Sequence, residues 1–241
     1  MRSYKRYTRP KRLLKHIVVV ALVFILGVVL LRAVSYIAIQ GEIPMINSFN
    51  LFRREADTSF GWNLILVNDD YRIPRNYEVE LTELSNGEKV DSRIYPQLQQ
   101  MFDDARTEGL ELFVREGYRT TQDQKNIMNE RIQKYQDEGY SRWEAKERAE
   151  EYVAEPGTSE HELGIAVDIN ADTSKCSAHA VYTWLANNAY KYGFIKRYPD
   201  DKTEITGVNN EPWHYRYVGG DSAIEMQEKG LCLEEYIESL R

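Results

Sequence analysis

Two short polar clusters carry side chains able to do chemistry. The first is Ser159-Glu160-His161-Glu162-Leu163-Gly164-Ile165-Ala166-Val167-Asp168, and the second is Glu211-Pro212-Trp213-His214. Gly164 permits a tight bend between His161 and the segment bearing Asp168, so an imidazole and a carboxylate can converge on one point. The second cluster adds another imidazole, with an acid three residues earlier on a turn set by Pro212. Two His and one Asp make a three-ligand set with an open fourth position, the pattern of catalytic rather than structural zinc. Glu211 would then be free to act on a bound water. The same residues also suit a buried histidine hydrogen-bonded to a carboxylate for structure alone, and spacing does not choose between the two. The other histidines offer less: His16 lies in a basic tail, and His179, near a helix start, suits a surface position.

These side chains need elements to bring them together. Ile165-Ala166-Val167-Asp168-Ile169 reads as a short strand, with Ile165, Val167 and Ile169 on one face and Ala166 and Asp168 on the other. A last strand is expected over 213–218, where His214 and Arg216 share a face. Upstream, Tyr95–Thr107 spaces Leu98, Met101, Phe102 and Ala105 as a helix does, and Gly109 sits where a C-terminal cap belongs. Residues 110–114 alternate like a strand and lead to Gly117-Tyr118-Arg119-Thr120. A polar helix is expected over 121–138, ending at Gly139. Ser141-Arg142-Trp143-Glu144 has the form of a capping box and opens a helix to about Val153, which Pro156-Gly157 stops. An amphipathic helix over 177–192 ends at Gly193. Residues 62–68 are strand-like and 71–74 turn-like. Helices interspersed with short strands predict an α+β fold, a small antiparallel sheet flanked by helices.

Charge divides the chain. Residues 1–16 carry seven Lys/Arg and no acid, whereas from residue 41 onward 23 basic residues face 38 acidic ones, a net of −15. Nucleic-acid binding is a poor fit, because phosphate contacts need a basic surface. The basic tail instead precedes an apolar run over 17–39, interrupted only by Arg32 and about the ~20 residues that span a bilayer. Arg32 lies near one end, where it can snorkel to the headgroups. The expected organisation is a basic cytoplasmic tail (1–16), a single transmembrane anchor (17–39), a linker (40–61) and a globular domain (62–241) outside the cytoplasm. A cleaved signal peptide is the alternative, since Ala33-Val34-Ser35 supplies small residues after the apolar run. The two cysteines, Cys176 and Cys232, both fall in the exported part, where a disulfide between them is permitted and expected.

The clusters together resemble a known signature. Ser159-x-His161-x-x-Gly164-x-Ala166-x-Asp168, followed by Glu211-x-Trp213-His214, is similar to the paired motif of VanY-type D-alanyl-D-alanine carboxypeptidases, in the LAS group of zinc peptidases. Leu66-Val67-Asn68 with Pro74 and Tyr77, Asp91-Ser92-Arg93, and Gly117-Tyr118-Arg119-Thr120-x-x-x-Gln124 extend the resemblance over roughly 62–240, in the family's order. It implies the LAS-type zinc peptidase fold, with zinc on His161, Asp168 and His214, and Glu211 as the proton shuttle. It implies Arg119 as a catalytic residue, on the oxyanion or on the substrate's terminal carboxylate, and Ser159, Gln124 and Tyr118 as substrate-binding. The implied reaction removes the C-terminal D-alanine from peptidoglycan stem peptides. L,D-carboxypeptidase action on tetrapeptide stems and a non-catalytic wall-peptide-binding module are the rivals, and the free acid Glu211 argues against the second. Two departures stand out: Thr120 where the family usually has Ser, which keeps the hydroxyl, and Glu116 where it has a small residue. Glu116 brings a negative charge near the carboxylate pocket, and its side chain is expected to point to solvent.

Overall fold

The computed structural model describes residues 53–241. The basic tail, the anchor expected over 17–39 and residues 40–52 of the linker lie outside the described residues. Among those described, no helix is long and apolar enough to cross a membrane. Residues 53–241 form one compact unit, which takes in 53–61 of the expected linker.

Chain order begins with two small ladders. β1 (Arg54–Glu55) pairs in parallel with β2 (Tyr71–Arg72), and β3 (Leu81–Glu83) pairs antiparallel with β4 (Lys89–Asp91). Residues 71–74 are therefore not the expected turn, because β2 finds a partner in a segment the sequence pattern left outside the domain. The strand expected over 62–68 is also absent. A 3-10 turn occupies Trp62–Leu64, and Arg216 Nη2 donates to the carbonyls of Asn63 (3.1 Å) and Ile65 (2.8 Å), taking the place of a neighbouring strand.

Then come α1 (Tyr95–Thr107), β5 (Leu112–Glu116), α2 (Thr121–Asp137) and α3 (Arg142–Glu150). α1 buries the four residues whose spacing predicts it, Leu98, Met101, Phe102 and Ala105. β5 lies two residues later than its alternation suggests. α2 and α3 each open on a reciprocal capping box, Thr120 with Asp123 and Ser141 with Glu144, so the N-cap of α2 is pinned directly after Arg119. The remainder includes β6 (Ala166–Ala171), α4 (Ala178–Asn188), β7 (Phe194–Lys196), β8 (His214–Tyr217), α5 (Gly220–Lys229) and α6 (Leu233–Ser239), with a short helical turn, Thr203–Thr206, between β7 and β8. The helix expected over 177–192 tightens into a 3-10 turn after Asn188 and ends at Gly193 in the left-handed region.

The main sheet has four strands in the order β5-β6-β8-β7, all antiparallel, which bears out the α+β expectation. One face supplies Leu112, Val114, Val167, Ile169 and Phe194 to a core completed by α1 and by Val181, Trp184 and Leu185 of α4. The other face carries the functional row, and β6 pairing with β8 sets Asp168 directly opposite His214 and Ala166 opposite Arg216.

The two cysteines are free thiols rather than a disulfide. Cys176 Sγ is engaged by the backbone of Glu111, accepting from its N–H (3.2 Å) and donating to its carbonyl (3.3 Å). Cys232 is buried at the N-terminus of α6, where burial pushes its thiol up to about 11.

Candidate metal centre and catalytic cavity

His161 sits on a 3-10 turn, Glu160–Leu163, that closes on Gly164 in the left-handed region with φ 73°. A Cβ at that position would press against Val79 Cγ2 (3.2 Å) and Asp91 N (3.3 Å), so only glycine lets the turn feed β6 this closely. His161 Nδ1 lies 2.8 Å from the carbonyl of Gly117. That carbonyl can only accept, which puts the ring proton on Nδ1 and leaves the Nε2 lone pair toward Asp168 Oδ1, 3.4 Å away. Gly117 is equally constrained, because any side chain there would collide with the backbone carbonyl of Lys89.

His214 comes from the opposite strand and turns its other nitrogen inward, with Nδ1 3.1 Å from Asp168 Oδ1. The two imidazoles stand nearly perpendicular, 84° apart, with centroids separated by 4.9 Å. One ligand atom from each of His161, Asp168 and His214 lies within 4.8 Å of the others. Asp168 Oδ1 is buried and has no hydrogen-bond partner. Two imidazole nitrogens and an orphaned carboxylate oxygen converging on one point repel one another unless a cation joins them. The residues fit zinc, which takes this donor set tetrahedrally with a fourth position left open.

The proton balance agrees. Burial alone would raise Asp168, but the two imidazoles overcome it and hold the carboxyl well below the usual range. Burial, helped by the Arg119 charge, lowers His161 and keeps it neutral. For His214 burial also opposes the charged form, yet Asp168 and Glu160 outweigh it and carry the imidazole up to about 9. In the metal-free protein a proton on His214 thus supplies the positive charge, and metal binding must release it.

These groups line one cavity of about 430 Å³, together with Glu211, Arg119, Ser159, Gln124, Tyr198 and Trp213. Glu211 Oε2 is 3.6 Å from His214 Nδ1, and burial raises its carboxyl above the ordinary range. Arg119 Nη2 is 3.9 Å from Asp168 Oδ2. Gln124 is buried, with both ends of its amide in use: Oε1 accepts from Arg119 Nη1 (3.1 Å) and Nε2 donates to the Ala154 carbonyl (2.7 Å). Ser159 is buried on the wall. Tyr118 is not among the lining residues, and its N–H is tied to Lys89 O at 2.6 Å. Glu116 is partly exposed and lies outside the cavity lining, but it is not free in solvent as expected. Arg119 Nε donates to its Oε2 at 2.6 Å, and Nη2 pairs with the same oxygen.

Sequence reasoning passed over the layer behind the metal donors. Glu160 Oε1 accepts from Arg197 Nε (2.7 Å) and lies 2.9 Å from Arg216 Nη1, and all three side chains are fully buried. Arg197 then forks onto both oxygens of Glu234 on α6, at 2.6 and 2.8 Å. Glu160 Oε2 and His214 Nε2 face one another at 3.7 Å with no other partners, so this carboxylate backs the second imidazole. The available signal was the shared face of His214 and Arg216, a buried cation that needed an acid nearby.

Comparison with known proteins gives matches along most of the unit. Residues 87–220 match the VanY family, described as D-alanyl-D-alanine carboxypeptidase. A D-alanyl-D-alanine carboxypeptidase of Enterococcus faecalis (strain ATCC 700802 / V583) is 53% identical over 196 residues, covering 81% of this chain and 73% of the relative. The solved structure of VanYB in complex with D-alanine-D-alanine is 56% identical with a TM-score of 0.73, over 75% of this chain and 99% of that one. A mutant of the vancomycin resistance D,D-pentapeptidase VanY from a VanB-type cassette, in complex with Zn(II), is 57% identical with a TM-score of 0.71, over 73% and 99% of the two chains.

Proposed function

The chain belongs to the VanY family of D-alanyl-D-alanine carboxypeptidases, and from that premise we propose that it is a zinc-dependent D,D-carboxypeptidase removing the C-terminal D-alanine from peptidoglycan stem peptides. The observation that carries this reading is the convergence of His161, Asp168 and His214 on one point of a cavity that also receives Glu211 and Arg119.

His161, Asp168 and His214 would hold zinc, which when bound would supply Lewis acidity to the scissile carbonyl and to a water. Glu211 takes the proton of that water and passes it to the leaving amine. Its raised affinity for a proton, caused by burial, suits a group that must hold the proton between the two transfers. Arg119, beside Asp168, donates to the carbonyl oxygen as it gains negative charge. Ser159 offers a hydroxyl on the same wall to the substrate's C-terminal end. Gln124 acts through Arg119, whose Nη1 it fixes. We assign the apolar run over 17–39 as a single-pass membrane anchor that keeps the domain outside the cytoplasm, next to the wall; its support is the basic tail before it and the length of the run.

Mass spectrometry of stem peptides incubated with the protein tests the reaction. The pentapeptide is expected to lose one D-alanine and the tetrapeptide to persist. Cleavage of the tetrapeptide alone would transfer the assignment to L,D-carboxypeptidase action, and no cleavage of either with zinc added would leave a binding module. Protease added to intact cells is expected to reach residues beyond Ile39 and spare residues 1–16. A soluble product starting near Tyr36 would overturn the anchor.

A further inference from the structure

β5 and β6 run in simple register from Leu112 to Val114, and then the register shifts: Val114 opposes Ile169, while Glu116 opposes Asp168. Two residues on β5 thus answer one on β6, which is a bulge. A period of two would set Glu116 on the core face with Leu112 and Val114. The bulge moves it to the opposite face, in a cross-strand row of Glu116, Asp168 and His214 on three neighbouring strands. Nothing in the zinc chemistry calls for this carboxylate. Its side chain pairs with Arg119, whose Nε and Nη2 both meet Oε2.

Resting on the reading of Arg119 given above, we propose that Glu116 is a positioning residue that holds the Arg119 guanidinium off Asp168 and aimed at the reacting carbonyl. The guanidinium has three acceptors around it: Glu116 on the Nε/Nη2 edge, Gln124 on Nη1 at 3.1 Å, and Asp168 Oδ2 at 3.9 Å from Nη2. Take Glu116 away and the Nε/Nη2 edge loses its partner. The nearest carboxylate is then Asp168, one of the three metal donors. A planar cation that can bind a carboxylate through two parallel N–H groups would close that gap. It would occupy the oxygens that the metal needs and leave the position from which it serves the substrate. Glu116 therefore protects a metal ligand from its own neighbour while fixing the direction of a catalytic cation.

The test uses the purified protein loaded with zinc, with kcat/KM on a D-Ala-D-Ala-terminated pentapeptide and zinc affinity by chelator competition as separate readouts. Arg119→Ala should cost roughly 100-fold in kcat. Glu116→Ala should cost about tenfold in kcat, the scale of a misaimed group, and weaken zinc binding measurably. Glu116→Gln keeps an acceptor oxygen without the charge and should stay within about threefold of the parent in both readouts, since a neutral acceptor still holds the fork. The double variant Glu116→Ala/Arg119→Ala should be no worse than Arg119→Ala alone, because Glu116 acts only through Arg119. Equal impairment of the Ala and Gln variants would overturn the inference in favour of a plain charge effect on the metal. An additive double variant, or an unimpaired Glu116→Ala beside an impaired Arg119→Ala, would overturn it while leaving the Arg119 reading intact. An unimpaired Arg119→Ala would overturn both.

Discussion

Glu160 and His161 are sequence neighbours that serve two buried polar clusters of opposite character. Glu160 belongs to a cluster whose charges cancel: two carboxylates, Glu160 and Glu234, face two guanidiniums, Arg197 and Arg216, at 2.6 to 2.9 Å. His161 belongs to one whose donors converge without bonding one another: a nitrogen of each imidazole and an oxygen of Asp168 lie within 4.8 Å of one another, and Asp168 Oδ1 has no hydrogen-bond partner. Both clusters are largely buried, one built of Glu and Arg and the other of His and Asp. Charge pairing is what differs. The paired cluster works as a wall, with Glu160 Oε2 and Arg216 Nη1 still short of a hydrogen bond, and the unfinished one has chemistry left to do.

That contrast can be broken from either side. The largest effect is expected at the unfinished cluster: His161→Ala and His214→Ala should fall from about one bound zinc per chain to almost none by metal analysis, since two protein donors no longer make a zinc site. A full equivalent in both would place the metal elsewhere. Glu211→Gln should keep metal and fold while kcat drops on the order of 100- to 10,000-fold, because only the proton shuttle is lost. A Glu211→Gln protein as active as its parent would remove that role. Glu160→Ala attacks the paired cluster and should act on stability first, costing roughly 3–5 kcal/mol in denaturant unfolding, because it removes the carboxylate that two buried guanidiniums share and leaves Arg216 with no anionic partner. A cost under about 1 kcal/mol would show that the cluster is not the closed unit its distances describe.

A smaller effect sharpens the same comparison at the rim. Glu155, also buried, accepts from Arg53 Nη1 at 2.7 Å and Lys146 Nζ at 2.6 Å. Burial alone would raise its carboxyl, but the hydrogen bonds and charges of Glu150, Lys146 and Arg53 outweigh burial and hold it at about 2, below the ordinary 4.5. A depressed folded value means the stabilisation is complete above pH 4.5 and lost as the pH falls toward 2. Glu155→Gln should therefore cost roughly 2 kcal/mol near neutrality, and the difference from the parent should shrink through that acid window. A difference independent of pH would assign the loss to packing instead.

Much of this architecture was written locally. The four apolar positions of α1, the capping boxes before α2 and α3, and the alternation around Asp168 each rest on contacts within a few residues, so a linear pattern records them. The metal donors were legible for a related reason: Gly164 between His161 and β6, and an acid three residues before His214, are short-range marks. What failed to show depended on distant partners. Residues 62–68 look like a strand and are not one, because Arg216, some 150 positions away, satisfies their carbonyls. β2 was hidden for the same reason, since its partner β1 lies before the expected start of the domain.

By itself, then, the sequence determined which residues could bind a metal, which element carried each, and that an acid stood ready beside the second histidine. Tertiary structure alone decided the rest. It decided that Cys176 and Cys232 remain apart, that Arg197 and Arg216 close a neutral wall around Glu160, and that a one-residue bulge turns Glu116 onto the face of Asp168. The physical reason is the same in each case. A side chain's propensity is a property of its neighbours along the chain, whereas the pairing of a buried charge is settled only by what the fold brings within about 3 Å of it.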